Sequence, residues 1–409
     1  MSKTIQAPRG MKDIIPPESE RFVHVIETAS RIAERYGFGY VETPLLEETA
    51  LFKRSVGESS DIVGKEMYQF IDKGGHDVCL RPEGTAGVVR MFIQNKLDKK
   101  GGIHRFYYHG PMFRYERPQK GRLREFHQFG CESFGEGSVY EDFNLILMIK
   151  DIFDALGIGY KILVNSLGCP ECMPGYRESL VSHLNDIRDG LCEDCQRRIE
   201  TNPIRVLDCK NESCQALLQN APLISDKLCE TCDSDFKTLI DLLDRHGLAY
   251  ELDPKLVRGL DYYTRTAFEF VSDEIGAQSA IAGGGRYNRL VEFLGGKPTP
   301  AVGFALGIER ILDLVKMPET NRRGIYLGVM LPEALDQVID LAHTLRQKER
   351  VIVEYHKKSL KAHLKAADRA HVRLCGVIGE DELAKGEIWL KDLQTKEERR
   401  VAVSELAKS

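Results

Sequence analysis

The sequence predicts an α/β protein with more than one domain, and three observations support this fold class. The chain has 409 residues, and a chain of this length usually folds as two or three domains that each bury a core. Some segments space their apolar residues with the period of a helix, whereas others alternate apolar and polar residues as strands do. Between about residue 165 and residue 250 cysteine becomes frequent, which indicates an inserted region.

The composition bounds the class of protein before any motif is considered. Hydrophobic residues make up 42% of the chain, charged residues 29%, and the net charge is −5. No apolar run is long enough to span a membrane, and the first residues lack the apolar core of a signal peptide, so we expect a cytoplasmic protein with no membrane partner. The mild negative charge argues against non-specific nucleic-acid binding by the whole surface, and we expect no DNA partner, although local basic patches can still bind a polyanion.

The N-terminal part of the chain predicts a long amphipathic helix from about Ser19 to Tyr36, followed by a turn and a short strand that ends at Pro44. Its apolar residues fall on one helical stripe. They are Phe22, Val25, Ile26, Ala29, Ile32 and Ala33. A helix and a strand of this kind occur in many α/β proteins, so this segment indicates no function by itself.

A carboxylate beside a proline turn comes next, in the segment from Leu80 to Gly87. Glu83 precedes Gly84 and Thr85, which open a helix predicted to run to about Gln94. A glutamate in this position often only complements the helix dipole. A carboxylate that its backbone holds in place can also bind a cationic group of a ligand, and both interpretations remain open.

A hairpin with a cationic tip is predicted between about residues 111 and 134. A strand carrying Arg114 and Glu116 runs into a loop with proline, glycine and four basic residues, and a strand from Glu125 to Phe134 returns. On the returning strand Gln128 and Glu132 share one face, because they lie four residues apart. Gly130 lies between them, and a glycine there leaves room for a ligand.

A cation, two aromatic residues and several polar groups lie within the twelve residues from Arg258 to Glu269. The alternation that begins at Thr264 predicts a strand with one buried face, so Arg258, Tyr262 and Tyr263 are expected where a loop enters a sheet. Two glycine-marked segments follow, Ile281–Asn288 with three consecutive glycines and Ala301–Leu312 with Gly-x-x-x-Gly-x-Glu-Arg. Glycine permits a ligand to approach the backbone closely.

Eight of the eleven cysteines lie between residues 165 and 250, as four close pairs, and three of these pairs are C-x-x-C. The spacing between Cys172 and Cys192 is that of a zinc ribbon, which makes Cys169, Cys172, Cys192 and Cys195 a candidate zinc site. Disulfides are the poorer interpretation in a reducing cytoplasm, and free thiols are the alternative. The spacing alone leaves open which four cysteines meet.

Beyond a linker near residues 317 to 324, strands and helices alternate again, which predicts a small α/β domain with a largely parallel sheet. In its second helix a row of basic residues follows helical spacing on one face. They are Lys358, Lys361, Lys365 and Arg369. Such a face is usually only solvated, and RNA contact is the functional alternative.

Together these segments resemble the histidine type of class II aminoacyl-tRNA synthetases. The first helix and strand resemble motif 1, the hairpin motif 2, and the segment with Arg310 motif 3, while the segments at Arg258 and Ile281 resemble the two histidine signatures. The resemblance implies an antiparallel sheet flanked by helices, a mostly helical insertion and a C-terminal α/β anticodon-binding domain with a mixed sheet. The implied bounds are 1–166 and 250–320 for the catalytic core, 167–249 for the insertion and 325–409 for the anticodon-binding domain.

The resemblance also implies roles for single residues. It implies that Arg258 and Arg114 are catalytic, and that ATP is bound by Arg114, Glu116, Arg258 and Arg310. Histidine binding falls to Glu83, Gly84, Thr85, Gln128, Glu132, Tyr262 and Tyr263, with Glu132 and Tyr263 reading the imidazole. Contacts to tRNA fall to Gln119, Arg124, Lys358, Lys361 and Lys365.

The implied reaction joins L-histidine to tRNA(His) through a histidyl-adenylate, with ATP as substrate and Mg²⁺ as its counter-ion, in a homodimer. A synthetase-like regulatory protein that binds histidine or uncharged tRNA is an alternative. It would have no reason to retain the three arginines or a C-terminal domain. A class II enzyme for proline, threonine or glycine would share motifs 1 to 3 but not the Arg258 segment.

Overall fold

A computed structural model describes residues 4–57, 62–209, 211–258, 260, 262–276, 280–317 and 322–408. The chain divides into two compact units, Met1–Lys316 and Met317–Ser409, which are described separately. The linker predicted near the boundary lies partly outside the described residues, as do Gly259 and Asp261 of the Arg258 segment. Within the described residues, no helix has the length and apolarity that crossing a bilayer requires.

The first unit is built on a large sheet whose strand order is β1-β5-β6-β11-β10-β9-β7-β8. Its six inner strands pair antiparallel, and the short edge strands β1 and β8 pair parallel to their neighbours. Strands β2, β4 and β3 form a small antiparallel sheet. The strands are β1 (Gly39–Tyr40), β2 (Leu46–Glu48), β3 (Tyr68–Ile71), β4 (Asp77–Leu80), β5 (His104–Phe113), β6 (Glu125–Phe134), β7 (Lys161–Ser166), β8 (Tyr250–Leu252), β9 (Thr264–Val271), β10 (Ala280–Arg286) and β11 (Ala301–Gly307).

Helices cover this sheet because their apolar faces need burial. The long helix α4 begins at Ser138, whose hydroxyl accepts a hydrogen bond from the Tyr140 amide, and ends at Gly157 in the left-handed conformation. It packs against α1. The helices of this unit are α1 (Glu18–Arg35), α2 (Thr49–Val56), α3 (Thr85–Gln94), α4 (Val139–Leu156), α5 (Met173–Asp186), α6 (Glu193–Thr201), α7 (Glu212–Leu217), α8 (Glu230–Arg245), α9 (Leu290–Phe293) and α10 (Ile308–Leu312).

The predicted hairpin is present as β5 and β6, with Phe113 paired with Glu125. The prediction that Arg114 and Glu116 belong to the first strand is wrong, because β5 ends at Phe113. Arg114 still donates its amide to the Arg124 carbonyl at 2.9 Å, but the Glu116 amide turns back to the Arg114 carbonyl at 2.7 Å. The chain therefore bends at the base of the loop and carries both side chains off the sheet.

The insertion between β7 and β8 consists of α5 to α8 joined by short 3₁₀ turns. Its apolar residues form a core of their own, in which cysteines stand beside leucine and isoleucine. A mostly helical insertion was predicted, and the fold class as a whole is confirmed.

The second unit has a five-stranded sheet in the order β13-β12-β14-β15-β16. Strands β13, β12 and β14 are parallel, and β14, β15 and β16 are antiparallel. The sheet is therefore mixed, as the resemblance implied, and not largely parallel. Its elements are β12 (Ile325–Val329), α11 (Leu335–Leu345), β13 (Val351–Val353), α12 (Leu360–Arg369), β14 (Leu374–Ile378), α13 (Glu380–Lys385), β15 (Glu387–Asp392), β16 (Glu398–Ala402) and α14 (Val403–Leu406).

One buried ion pair ties α4 to the sheet. Arg286, at the end of β10, donates to the Asp142 carboxylate and to the Glu136 and Ser138 carbonyls. Both side chains are almost completely buried, at 2% and 0% exposure. Arg286 belongs to the second predicted signature, and in this structure it holds the N-terminal end of α4 in place.

Candidate active site

A cavity of about 240 Å³ opens on the large sheet of the first unit. Its walls come from the N-terminus of α3, the hairpin, the segment before β9, and the strands β9 to β11 with α10. Most of the predicted ligand-binding residues line it. They are Glu83, Thr85, Arg114, Glu116, Gln128, Arg258, Tyr262, Tyr263 and Arg310.

Arg258 enters this cavity from the loop before β9. Its guanidinium pairs with the Glu269 carboxylate and lies 5.6 Å from the centre of the Tyr263 ring. Burial works against its charge, but the Glu269 carboxylate and the tyrosines raise the pKa of Arg258. The side chain is therefore a fixed cation, held before any ligand binds.

The glycine run of β10 allows Arg258 to lie against the sheet. A Cβ on Gly283 would stand 2.5 to 2.8 Å from three atoms of the Arg258 guanidinium, so any larger residue would displace the arginine. On Gly284 a Cβ would stand 2.2 Å from the Gly303 carbonyl oxygen. The sequence predicted that a ligand lies close to the backbone of these glycines. At both positions, atoms of the chain itself occupy that space.

Two further arginines stand on the hairpin side of the cavity. The Arg114 Nε donates to the Pro82 carbonyl at 2.9 Å, and the guanidinium lies 5.2 Å from the centre of the Phe126 ring. Arg310 donates to the Gly121 and Ala280 carbonyls. Burial, with the neighbouring charges of Arg114 and Arg122, lowers the pKa of Arg310. Several arginines on the walls of one cavity form a site that favours a polyanion.

Glu83 has the helix-capping role that its sequence position suggested, and it also faces the cavity. Its carboxylate accepts the amides of Thr85 and Ala86 at 2.7 and 2.8 Å, so it caps α3. It also lines the cavity although the residue is only 3% exposed. Burial raises the pKa of Glu83, against the effect of the two amides. An ammonium group in the cavity would restore the charge balance of this carboxylate.

Glu132 lies beneath the cavity and is not among the residues that line it. The residue is 1% exposed, and its carboxylate accepts from the hydroxyls of Thr85 at 2.7 Å, Tyr108 at 3.3 Å and Tyr287. Burial raises the pKa of Glu132 to about 8. Its influence on a ligand therefore passes through Thr85 and the tyrosines unless the floor rearranges.

Gly84 does not line the cavity either, and its role is to accommodate Tyr108. A Cβ on Gly84 would stand 2.1 Å from the Tyr108 ring, and a Cβ on Gly130 would stand 2.4 Å from it. The ring therefore fits between two glycines and directs its hydroxyl towards Glu132. The space predicted at Gly130 for a ligand is filled by this tyrosine.

Several polar atoms at the site lack a hydrogen-bond partner within the described residues. They are the Arg258 Nε, the Gln128 Oε1 and the Tyr262 hydroxyl, all three in side chains that line the cavity. A buried polar atom left unpaired costs about 1 to 3 kcal/mol. Such atoms are retained where a polar ligand satisfies them, which favours a small molecule with both donors and acceptors.

The two loop residues predicted to contact tRNA differ in their surroundings. Gln119 is exposed at the tip of the hairpin loop. Arg124 stacks over the Tyr115 ring at 3.8 Å and donates its Nε to the Glu116 carbonyl at 3.1 Å. Gln119 is thus free to meet a large ligand, whereas Arg124 also braces the base of the loop.

The predicted basic face of the second unit is only partly present. Lys361, Lys365 and Arg369 are exposed on α12. Lys358 precedes the helix, whose N-cap is Ser359, and pairs with Glu354. It does not continue the row, because residues before the helix do not follow its period.

The cysteines of the insertion form two groups, and the grouping predicted from spacing is wrong. Cys169 and Cys172 meet Cys229 and Cys232, whereas Cys192 and Cys195 meet Cys209 and Cys214. Helices α5 to α7 lie between Cys172 and Cys229 in sequence, and the fold brings the start of α8 back to the segment that follows β7. Spacing identified the C-x-x-C pairs but not the path of the chain between them.

The structure adds three residues that sequence reasoning did not select. Tyr108 and Tyr287 surround Glu132, and Glu269 pairs with Arg258. Tyr108 lies on β5 and Tyr287 directly follows β10, and a tyrosine in either place is indistinguishable from a core residue in a sequence. Glu269 carried a signal, because a charged residue alternates there with buried Phe268 and Phe270.

The chain is similar to known proteins over nearly its whole length. Residues 10–182 and 194–311 match the family model described as histidyl-tRNA synthetase, and residues 325–409 match the anticodon binding domain. The chain is 65% identical over 398 residues to the histidine–tRNA ligase of Sulfurovum sp. (strain NBC37-1), covering 97% of this chain and 99% of the relative. It is 54% identical to that of Campylobacter jejuni (strain 81-176), covering 99% of each.

The crystal structure of the apo histidyl-tRNA synthetase of S. aureus superposes with a TM-score of 0.83, at 33% identity and 99% coverage of both chains. An antiparallel sheet that carries an arginine-lined cavity, with an anticodon-binding domain after it, defines a class II aminoacyl-tRNA synthetase. Within that class the chain belongs to the histidyl-tRNA synthetase family.

Proposed function

We propose that this chain attaches L-histidine to tRNA(His) in two steps, through a histidyl-adenylate, with release of pyrophosphate and AMP. The observation that carries the proposal is the cavity in which Arg114, Arg258 and Arg310 stand together with the carboxylate of Glu83. Such a site complements a nucleoside triphosphate on one side and an amino acid on the other. The match of the chain to the histidyl-tRNA synthetase family over nearly its whole length gives further support.

In the first step the carboxylate of histidine attacks the α-phosphorus of ATP, and pyrophosphate leaves in line. Arg114 and Arg258 would hold the α-phosphate, and Arg310 the γ-phosphate. The reaction needs no catalytic base, because the attacking group is already an anion. Fixed cations and correct positioning then supply the acceleration. Mg²⁺ would neutralise the remaining phosphate charge.

Histidine would bind at the opposite end of the cavity. Glu83, Thr85 and Gln128 would take its ammonium group, because Glu83 is an anion held by two backbone amides. Tyr262 and Tyr263 would contact the imidazole, and Glu132 would act on it from beneath. A site whose buried polar groups need a specific partner rejects amino acids that cannot supply one.

For tRNA, we infer contacts at Gln119 and Arg124 in the hairpin loop and at Lys361 and Lys365 in the C-terminal unit, with Lys358 nearby. The division into a core (1–166 and 250–320), an insertion (167–249) and an anticodon-binding domain (325–409) is part of this proposal. The contact boundary after Lys316 and the family match over 325–409 support it. We expect a cytoplasmic homodimer.

ATP–pyrophosphate exchange with each of the twenty amino acids, in the absence of tRNA, tests the proposal. Exchange with histidine alone is expected, followed by charging of tRNA(His) when it is added. No exchange with any amino acid, from a folded protein with Mg²⁺ supplied, would contradict it. The proposed function would then be that of a sensor that binds histidine or tRNA without catalysis.

Replacing Arg258 by histidine should lower exchange by about 100- to 1000-fold, since a fixed cation at a developing charge is worth that much. Binding of tRNA, measured by filter retention, should stay nearly unchanged. Arg289→Gln is the matched control, because Arg289 is a half-exposed arginine outside the cavity. Exchange within a few fold of normal in the Arg258 variant would remove its assigned role.

A further inference from the structure

We propose that the insertion holds two zinc ions, each bound by four cysteines. The first centre is formed by Cys169, Cys172, Cys229 and Cys232, and the second by Cys192, Cys195, Cys209 and Cys214. Neither is needed for the chemistry of the proposed function, and both concern how the insertion is held together.

The sulfur positions fit a tetrahedral ion. Within each group all four Sγ atoms lie within 4.8 Å of one another. In the first group Cys169 Sγ is 3.7 Å from Cys172 Sγ and 3.8 Å from Cys229 Sγ. In the second group, Cys192 Sγ is 3.9 Å from Cys209 Sγ. A zinc–sulfur bond of about 2.3 Å places the sulfurs of a tetrahedron about 3.8 Å apart.

The same distances argue against disulfides and against a chance cluster of thiols. A disulfide needs its sulfurs about 2 Å apart, and each sulfur can pair with only one other. Here three or more sulfurs converge on one point in both groups, which is the arrangement that one shared ion requires. Both groups consist of cysteine alone, and soft thiolate ligands select zinc or iron over magnesium and calcium.

Backbone amides point at the sulfurs in both groups. The amide of Cys229 donates to Cys172 Sγ at 3.2 Å, and the amide of Cys192 donates to Cys214 Sγ at 3.2 Å. The amide of Asn211 donates to Cys209 Sγ at 3.5 Å. Such bonds stabilise a thiolate bound to a metal and fix the direction of its lone pairs. Four protein ligands leave no open position, so both centres are structural.

The insertion has a physical need for such centres. Its helices α6 and α7 are short, with 9 and 6 residues, and its core counts several of the cysteines among its buried residues. Small cores of this kind usually rely on metals or disulfides for stability. The first centre would join the segment that follows β7 to the start of α8, and the second would close the loop between α6 and α7.

The first centre also borders the segment that carries Arg258. Gly168, directly before Cys169, accepts the amide of Arg265 with its carbonyl oxygen at 2.6 Å, and Leu167 donates to the Arg265 carbonyl at 2.6 Å. Gly168 has a φ of +65°, and a Cβ there would stand 2.8 Å from the Cβ of Cys172. The turn into the first centre is therefore continuous with β9.

Elemental analysis of the full-length protein, purified without chelator, tests the proposal. Two zinc ions per chain and no iron are expected. The double variant C169S/C229S should retain one zinc, C192S/C209S should retain one, and C169S/C192S should retain none. The variant C79S/C375S, which changes buried cysteines of other regions, should retain both.

The variant C169S/C192S distinguishes the two groupings most sharply. It should lose both zinc ions if the structure is right, and only one if Cys169, Cys172, Cys192 and Cys195 shared one ion. An unchanged zinc content in C169S/C229S would overturn the first centre. An unchanged zinc content in C192S/C209S would overturn the second. Metal-free protein with eight titratable thiols in the insertion would overturn both centres, and so would iron in place of zinc.

A measurement on the wild-type chain covers the case in which a variant fails to fold. Protein produced with Co²⁺ should show the visible absorption bands of tetrahedral cobalt and a thiolate-to-cobalt charge-transfer band, equivalent to two ions per chain. Absence of these bands from cobalt-loaded, folded protein would contradict the proposal. Because neither measurement depends on catalysis, failure of the zinc proposal is distinguishable from failure of the proposed reaction.

Discussion

The catalytic cavity and the cysteine-rich insertion stabilise their buried polar groups in opposite ways. In the cavity the chain supplies the partners, since Glu83 is held by amides and Arg258 by Glu269. In the insertion the cysteines turn towards one another, and thiols are poor partners for each other. The cavity is therefore organised by the sequence alone, whereas on our proposal the insertion is organised around bound zinc. Substitutions in the cavity and in the insertion should therefore have separable effects.

Gly283→Ala should give the largest effect in the cavity without touching the insertion. The added Cβ would collide with the Arg258 guanidinium, and a misplacement of about 1 Å at a reacting group costs about 100-fold in rate. Pyrophosphate exchange with histidine measures this loss. The metal content should remain that of the wild type.

Gly39→Ala is the control, because a Cβ there would meet nothing within 4 Å. Normal exchange by the Gly283 variant would mean that Arg258 needs no support from β10. Loss of metal together with activity would break the separation of the two regions.

Glu132→Gln should reduce kcat/KM for histidine by about 10- to 100-fold, since it disturbs the buried hydrogen bonds with Thr85, Tyr108 and Tyr287. The same variant should gain stability at high pH. Burial raises the pKa of Glu132 to about 8, so the unfolded chain loses this proton at a lower pH than the folded protein does. Stability then falls as pH rises from about 4.3 to about 8, and stays constant above. Thermal unfolding at pH 5 and pH 8.5 should show a variant that exceeds the wild type only at pH 8.5.

Glu141→Gln is the control with the opposite sign. Burial works against its ionisation, but hydrogen bonds from Arg105 and Ser133 lower the pKa of Glu141, so its charge stabilises the fold above pH 4.3 or so. This variant should lose stability at pH 7 and keep its selectivity for histidine. A Glu132 variant that lost stability at pH 8.5 would show that the carboxylate is ionised and well paired.

Arg205→Ala should give the smallest effect and tests whether the insertion supports the cavity at all. Arg205 donates to the Arg258 carbonyl at 3.4 Å from the turn between α6 and α7. A hydrogen bond of this kind contributes about 0.5 to 1.5 kcal/mol, so exchange should fall about 2- to 10-fold. Arg197→Ala is the matched control, since Arg197 is exposed and pairs with Asp194 on its own helix. Equal activity of the two variants would make the regions independent.

Sequence reasoning located the regular elements well where a long pattern was present. The first helix was predicted at Ser19–Tyr36 and lies at Glu18–Arg35, and the returning strand of the hairpin lies at Glu125–Phe134 as predicted. Long amphipathic patterns define an element because one whole face must be buried. The start of the hairpin loop was misplaced, because Arg114 and Glu116 leave the sheet through backbone bonds that no side-chain period records.

The candidate site was predicted less evenly than the fold. Charged residues such as Arg258 and Arg310 stand out in a sequence, and both line the cavity. Gly84 and Glu132 lie behind it, because Tyr108 occupies the space that two glycines provide. The cysteine grouping was missed because it depends on where the start of α8 lies relative to the end of β7, which is a property of the tertiary path and not of spacing.

The ion pair of Arg286 and Asp142 has a consequence for how this sequence can change over evolution. Removing one partner from a buried pair leaves an uncompensated charge and costs about 3 to 5 kcal/mol, much of a domain's stability. Replacing both together by apolar residues of similar volume is often tolerated. Among relatives the two positions should therefore vary jointly or stay fixed, so that residues 144 apart in sequence behave as a single inherited character.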